Sequence, residues 1–164
     1  LQLGVMTDYK RYNSNDFPNK SQDCIDFVRI ACHPDKIQET LKVAEDLHKK
    51  EYKIFIQLME IQNVGADGYI ELFQWKNKNI LESLYFADSY SALKPEDIEK
   101  YYNKLKTIGY EKLSFHAHNE LGLALENSLR AAELGCYTID TTFNGIGRGG
   151  GNLKLQELLE NLPC

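Results

Sequence analysis

The residues best suited to chemistry are Phe115-His116-Ala117-His118-Asn119, followed later in the chain by Gly145-Ile146-Gly147-Arg148-Gly149-Gly150-Gly151-Asn152. Side chains two apart on a β-strand leave the same face, so a strand over 112–118 would present both imidazoles together. Two neutral imidazoles side by side can hold a divalent metal. They are only part of a shell, to which a carboxylate, an amide or waters must add, with one position left open for catalysis. The plainer alternative is a pair of structural histidines hydrogen-bonded to backbone. The glycine-rich segment lets backbone approach closely and brings a terminal amide toward the same place. Together these features suggest metal-assisted chemistry on a small, oxygen-rich substrate.

The same loop contains a literal G-x-G-x-x-G from Gly145 to Gly150. A dinucleotide fingerprint belongs at the first βα turn, with an acidic partner about 20 residues on. Here no further strand follows, so the glycines are read as close backbone approach to a metal or an anion.

The elements that must position these groups alternate. Strand-like apolar runs occupy 1–6, 24–31, 53–59, 83–87, 113–118 and 136–143. Between them, Ile37, Leu41, Ala44 and Leu47 fall at helical spacing after Pro34-Asp35, and Ile98, Tyr101, Tyr102 and Leu105 follow Pro95 in the same way. Further helices are read over 69–76, 123–134 and 153–162, and the polar stretch 9–22 as a loop with a short helix. Such alternation means parallel strands with right-handed crossovers, either an open doubly wound sheet or part of a (β/α)8 barrel. Polar residues stand at nearly every strand's carboxyl end: Asp8, His33, Glu60, Asp88 with Ser89, the histidine pair with Asn119, then Asp140, Thr142 and Asn144. That favours a barrel, where all the ends converge on one mouth. Arg29 lies inside an apolar strand, where a charge is costly unless paired. Its partner is a carboxylate of substrate or protein at the mouth, or a structural acid such as Asp26.

Bulk properties fit one ordinary domain spanning 1–164, with no linker or composition shift dividing it. The chain of 164 residues is 43% apolar and 26% charged, with a net charge of −5. No basic cluster suggests nucleic acid, and no apolar run approaches a membrane span. No signal peptide is visible and the chain starts at Leu1, which points to a fragment or a trimmed start and to a cytoplasmic protein. Cys24, Cys32, Cys136 and Cys164 form no metal-like spacing. Reduced thiols are the expectation, buried at the first three positions.

At 116–119 and 145–152 the sequence resembles the metal-dependent aldolase and lyase barrels. These include 4-hydroxy-2-oxovalerate aldolase, the 2-isopropylmalate and homocitrate synthases, and hydroxymethylglutaryl-CoA lyase. Gly122-Leu123-Ala124, Glu126-Asn127-Ser128, Ala131-Ala132 and Gly135 follow that family's pattern, as do Val28-Arg29-Ile30, Asp88-Ser89 and Ile139-Asp140. The resemblance implies a (β/α)8 barrel of which the chain holds about the last six βα units, with the first two strands absent. It also implies a divalent metal, Mn²⁺ or Mg²⁺, on His116, His118 and Asn152. That metal acts as a Lewis acid on a 2-oxo acid carbonyl and stabilises a pyruvate enolate. Arg29 and Ser89 would position substrate.

The family's Arg-Asp pair on its first strand has no counterpart here. That pair and the general base are therefore expected upstream, and the segment alone is expected to be inactive. The loop lacks the cysteine of the CoA lyases and the Glu-Arg-Ala of the synthases. Arg148-Gly149-Gly150 is closer to the aldolases, whereas Glu120 stands where synthases usually carry Asp. The expected activity is aldolase-like carbon–carbon cleavage or formation in a small 2-oxo acid, in a full-length homo-oligomer. The alternatives are a Claisen-type acyl transfer from acetyl-CoA and a barrel kept as a binding module.

Overall fold

A computed structural model describes residues 1–162; Cys164 lies outside the described residues. Six parallel strands lie side by side in sequence order. They are β1 (Gly4–Asp8), β2 (Phe27–Cys32), β3 (Lys53–Leu58), β4 (Leu81–Asp88), β5 (Leu113–Ala117) and β6 (Thr138–Ile139). The helices are α1 (Ile37–Lys49), α2 (Ile61–Val64), α3 (Ile70–Gln74), α4 (Pro95–Thr107), α5 (Ala124–Glu133) and α6 (Leu155–Asn161). An open doubly wound sheet reverses strand order at its switch point, and this sheet never does. It is also rolled. Arg29 on β2 bonds Asp140, one residue beyond β6. Four strand spacings of about 4.8 Å would hold those backbones roughly 19 Å apart in a flat sheet. The architecture is therefore an arc of a (β/α)8 barrel.

Alternation along each strand separates two environments. Val28, Ile30 and Cys32 of β2, Ile54, Ile56 and Leu58 of β3, and Leu84 and Phe86 of β4 face the helices and are buried. Leu113 and Phe115 of β5 continue that layer, meeting Leu41, Ala44 and Leu47 of α1, Ile98 and Leu105 of α4, and Ala124 and Ala131 of α5 in one core. The opposite register carries Arg29, Gln57, Tyr85, Ser114, His116 and Thr138, an unusually polar set for strand interiors. This face is the barrel interior. Polar side chains there satisfy one another: Ser83 bonds Ser114 at 2.6 Å, and Thr138 bonds both Ser114 and Tyr85.

Three expectations change. The strand read over 136–143 is only Thr138–Ile139. One further ladder bond runs from Asp140 N–H to Phe115 O, after which Thr142 N–H turns to Leu153 O and the chain leaves the sheet. The helix read over 69–76 is only α3, Ile70–Gln74, and it is preceded by α2 and a 3₁₀ turn over Ala66–Tyr69. Gly65 at φ 65° separates α2 from that turn, and the fully buried Tyr69 anchors the turn's end with its hydroxyl between the carbonyls of Cys32 and Met59. Cys24 is exposed rather than buried, since β2 begins three residues later than expected. Cys32 is buried and Cys136 half-buried, and burial pushes both thiols up to about 12, so they are inert. Among the described residues no helix is long and apolar enough to cross a membrane.

Candidate functional site

β5 delivers the histidine pair. His116 is on the strand, and His118 lies just past its end, held by an antiparallel bridge to Asn152. The rings stand edge to face with centroids 5.0 Å apart, so alternation does bring them together. The glycine-rich loop folds back onto this segment. Asn119 N–H donates to Gly151 O at 2.9 Å, and Asn152 N–H closes the loop on Gly145 O at 2.8 Å. Gly150, at φ 46°, lies against the backbone of Glu120, where a Cβ would collide. Gly150→Ala is therefore expected to lift the loop from 119–120 and cost about 1–3 kcal/mol. A thermal melt against wild type checks it, and an unchanged midpoint would contradict the packing described.

Both imidazoles are oriented through Nδ1. His116 Nδ1–H donates to Asp140 at 2.9 Å and His118 Nδ1–H to the Arg148 carbonyl at 2.9 Å. Tying Nδ1 to an acceptor places the proton there and leaves a lone pair on Nε2, the arrangement of metal-ligating histidines. Asp140 also binds Arg29 through both guanidinium nitrogens. Arg29 in turn lies 3.9 Å over the Tyr85 ring and donates to Gln57 at 3.2 Å. Burial alone would raise the Asp140 carboxyl, but the His116 and Arg29 hydrogen bonds hold it down to about 2.

Arg29, His116, Asp140, Thr141, Thr142 and Asn152 enclose a cavity of about 250 Å³. Two polar atoms in this group, Asn152 Oδ1 and Thr142 Oγ1, are buried without a hydrogen-bond partner among the described residues. A buried amide oxygen left unsatisfied is costly, and a bound cation would satisfy it. Two Nε2 lone pairs and one orphaned amide oxygen are donor types that fit a hard or borderline divalent metal, and His118, which does not line the cavity, borders it through His116 and the bridge to Asn152. Among the described residues no cluster of three or more His, Cys, Asp or Glu could hold an ion, so the set contains no carboxylate ligand.

The remaining expected residues fall as follows. Arg29 reaches the site, but its carboxylate is the protein's own Asp140; Asp26 instead accepts from Leu3 N–H. Ser89 does not line the cavity, and its hydroxyl accepts from Glu60 N–H at 3.0 Å, joining the ends of β3 and β4. Asp88 is spent on the turn after β4, accepting from Ala92 and Leu93 N–H and from Gln62. Sequence reasoning places Asp140 at a strand's carboxyl end but gives it no role in pairing with Arg29 or orienting His116. The signal available was Arg29 itself, a cation in an apolar strand that required an acid.

The sequence profile of one family matches residues 34–163. The chain belongs to the HMGL-like family. Within it, 4-hydroxy-2-oxovalerate aldolase of Carboxydothermus hydrogenoformans is 30% identical over 135 residues, 80% of this chain and 39% of that protein. Oxaloacetate decarboxylase of Mycobacterium tuberculosis is 27% identical over 140 residues, 85% of this chain and 42% of that protein. The chain thus spans about two fifths of the curated relatives it matches. A solved structure described as the N-terminal domain of an aldolase from Bacteroides vulgatus superposes with a TM-score of 0.83 at 25% identity. That match covers 97% of this chain and 54% of the other. These HMGL-like relatives are enzymes by name, and the barrel arc is common ground with them.

Proposed function

We propose that the chain forms the metal-holding part of a lyase that cleaves a small 4-hydroxy-2-oxo acid to pyruvate and an aldehyde. The observation that supports this best is the convergence of two Nδ1-tethered histidines with the orphaned Asn152 amide oxygen at the carboxyl ends of parallel strands. Barrel enzymes carry their active sites at that end. His116, His118 and Asn152 would hold Mn²⁺ or Mg²⁺, which when bound supplies Lewis-acid polarisation of the 2-oxo carbonyl.

The chain's own residues set the rest. Asp140 fixes the His116 ring, and Arg29 locks Asp140 in place while adding positive charge to the cavity wall that a substrate carboxylate meets. Thr142 Oγ1, unpartnered at the same wall, is free to donate to that carboxylate. Ser89 joins the ends of β3 and β4 by accepting from Glu60 N–H and does not touch the cavity. Free thiols at Cys24, Cys32 and Cys136 suit a reducing compartment, and we place the enzyme in the cytoplasm.

The test is product analysis of the full-length protein with Mn²⁺. Pyruvate release from a 4-hydroxy-2-oxo acid is expected. Thiol release from acetyl-CoA in the presence of a 2-oxo acid, without such cleavage, would assign an acyl transferase instead.

A further inference from the structure

The glycine-rich loop carries one charged side chain that neither the metal set nor the fold uses. Arg148 lies at the loop's outer turn and is exposed. Gly151 N–H donates to Arg148 O at 3.3 Å, and Gly149 and Gly150 between them stand at φ 42° and 46°. A tight turn with both central residues left-handed calls for glycine at those two places. The same Arg148 carbonyl accepts from His118 Nδ1–H at 2.9 Å. Both contacts belong to the backbone, and any residue at 148 would supply them. The turn accounts for the glycines and leaves the guanidinium unexplained.

The charge of Arg148 is also unspent. Arg11 pairs with Asp8, Arg29 with Asp140, and Arg130 with Glu99 and Glu133. Of the four arginines, Arg148 alone makes no ion pair among the described residues, although Glu120 Oε2 borders the same turn at Gly149. Its place beside the cavity is fixed from both sides. Its carbonyl holds His118, and its turn closes on Gly151, which bonds Asn119 N–H and precedes the cavity-lining Asn152. His118 already lies past the end of β5, so Arg148 stands on the outer, mouth side of the histidine pair. Within the cavity the Arg29 charge is balanced by Asp140. Arg148 therefore brings the uncompensated positive side chain to this edge of the site.

We infer that Arg148 receives a second carboxylate on the substrate, so that the site takes a 4-hydroxy-2-oxo dicarboxylic acid. This rests on the aldol-cleavage reading above. With the 2-oxo acid end at His116, Asn152 and Thr142, the C4 end is left facing the mouth, where the turn stands. A guanidinium offers a carboxylate two parallel N–H donors, which gives the contact direction as well as charge. The simplest such substrate is 4-hydroxy-2-oxopentanedioate. Its C3–C4 bond breaks, and the bonding electrons pass to C3. C4 loses its hydroxyl proton to solvent and becomes the aldehyde carbon of glyoxylate. C3 takes a proton from solvent to complete pyruvate. No oxidant or further reactant is needed. Arg148 is a specificity residue in this account.

Binding and cleavage are measured separately on the full-length protein with Mn²⁺. The probes 2-oxopentanedioate and 2-oxopentanoate differ only in the distal carboxylate, and neither has the C4 hydroxyl that cleavage needs. By calorimetry, wild type is expected to bind the diacid about tenfold or more tightly than the monoacid. In Arg148→Gln that preference falls to within about threefold of unity, and Arg148→Lys keeps part of it. Mn²⁺ affinity holds in both variants, because the carbonyl that orients His118 remains. Pyruvate release follows the same order. In wild type, kcat/KM for 4-hydroxy-2-oxopentanedioate exceeds that for 4-hydroxy-2-oxopentanoate by about tenfold or more, and in Arg148→Gln the difference is lost. Equal binding of the two probes by wild type, or equal weakening of both in Arg148→Gln, would overturn the inference. A wild type that prefers the diacid probe but releases no pyruvate from either hydroxy acid would overturn the reaction reading, while the carboxylate site at Arg148 would stand.

Discussion

Asp140→Ala is expected to destabilise the chain by about 3–5 kcal/mol, the usual cost of stripping one partner from a buried ion pair. The Arg29 and Asp140 side chains are only 18% and 21% exposed, so solvent screens them weakly. Without the carboxylate, the guanidinium stays buried on Tyr85 with Gln57 as its remaining hydrogen-bond partner. The pair need not be a net source of stability, because replacing both members with apolar residues is often neutral or better. Arg29→Met with Asp140→Leu should therefore recover most of the loss in a denaturant titration. It should not recover the site. His116 would still lack its Nδ1 acceptor, and losing such an orienting partner typically costs about 10–100-fold in metal affinity. A single variant as stable as wild type would show that the pair is not buried as described. A double variant with wild-type metal affinity would show that Asp140 does not orient His116.

The second large effect is on turnover. His116→Ala and His118→Ala each remove one Nε2 donor from a set that holds only two nitrogens and one amide oxygen. Loss of a ligand is expected to exceed the cost of losing an orienting partner, so pyruvate release should fall by about 100-fold or more in each variant. His48, exposed near the end of α1, provides the control. His48→Ala should keep wild-type turnover, and its stability should change little. Comparable losses in all three variants would mean that the effect is general damage rather than loss of a site.

Much of this arrangement was legible in the sequence because it is local. Alternation at 116 and 118 predicts a shared face, and the rings do meet. The repeated strand–helix pattern and the polar strand ends predict a barrel mouth, and the sequential parallel order agrees. Illegible features depend on partners distant in sequence or on single backbone torsions. Arg29 announces that it needs an acid, but Asp140 lies 111 residues away and becomes its neighbour only when the sheet rolls up. The apolar character of 136–139 suggests a strand and carries the eye onward to Phe143. What stops β6 is the return of Leu153 to Thr142, a contact between two loop ends. Ser89 reads as a group poised at the mouth, yet its hydroxyl is engaged by Glu60 N–H because Glu60 adopts an unexpected left-handed turn. An acid that could join His116 and His118 in a metal shell is likewise not found among the described residues.

The central claim is that His116, His118 and Asn152 hold a divalent metal, and a direct Mn²⁺ titration of the full-length protein followed by calorimetry tests it without reference to any reaction. The account predicts one Mn²⁺ site in wild type, lost or weakened about 100-fold or more in both His116→Ala and His118→Ala. Unchanged Mn²⁺ affinity in both variants would contradict it.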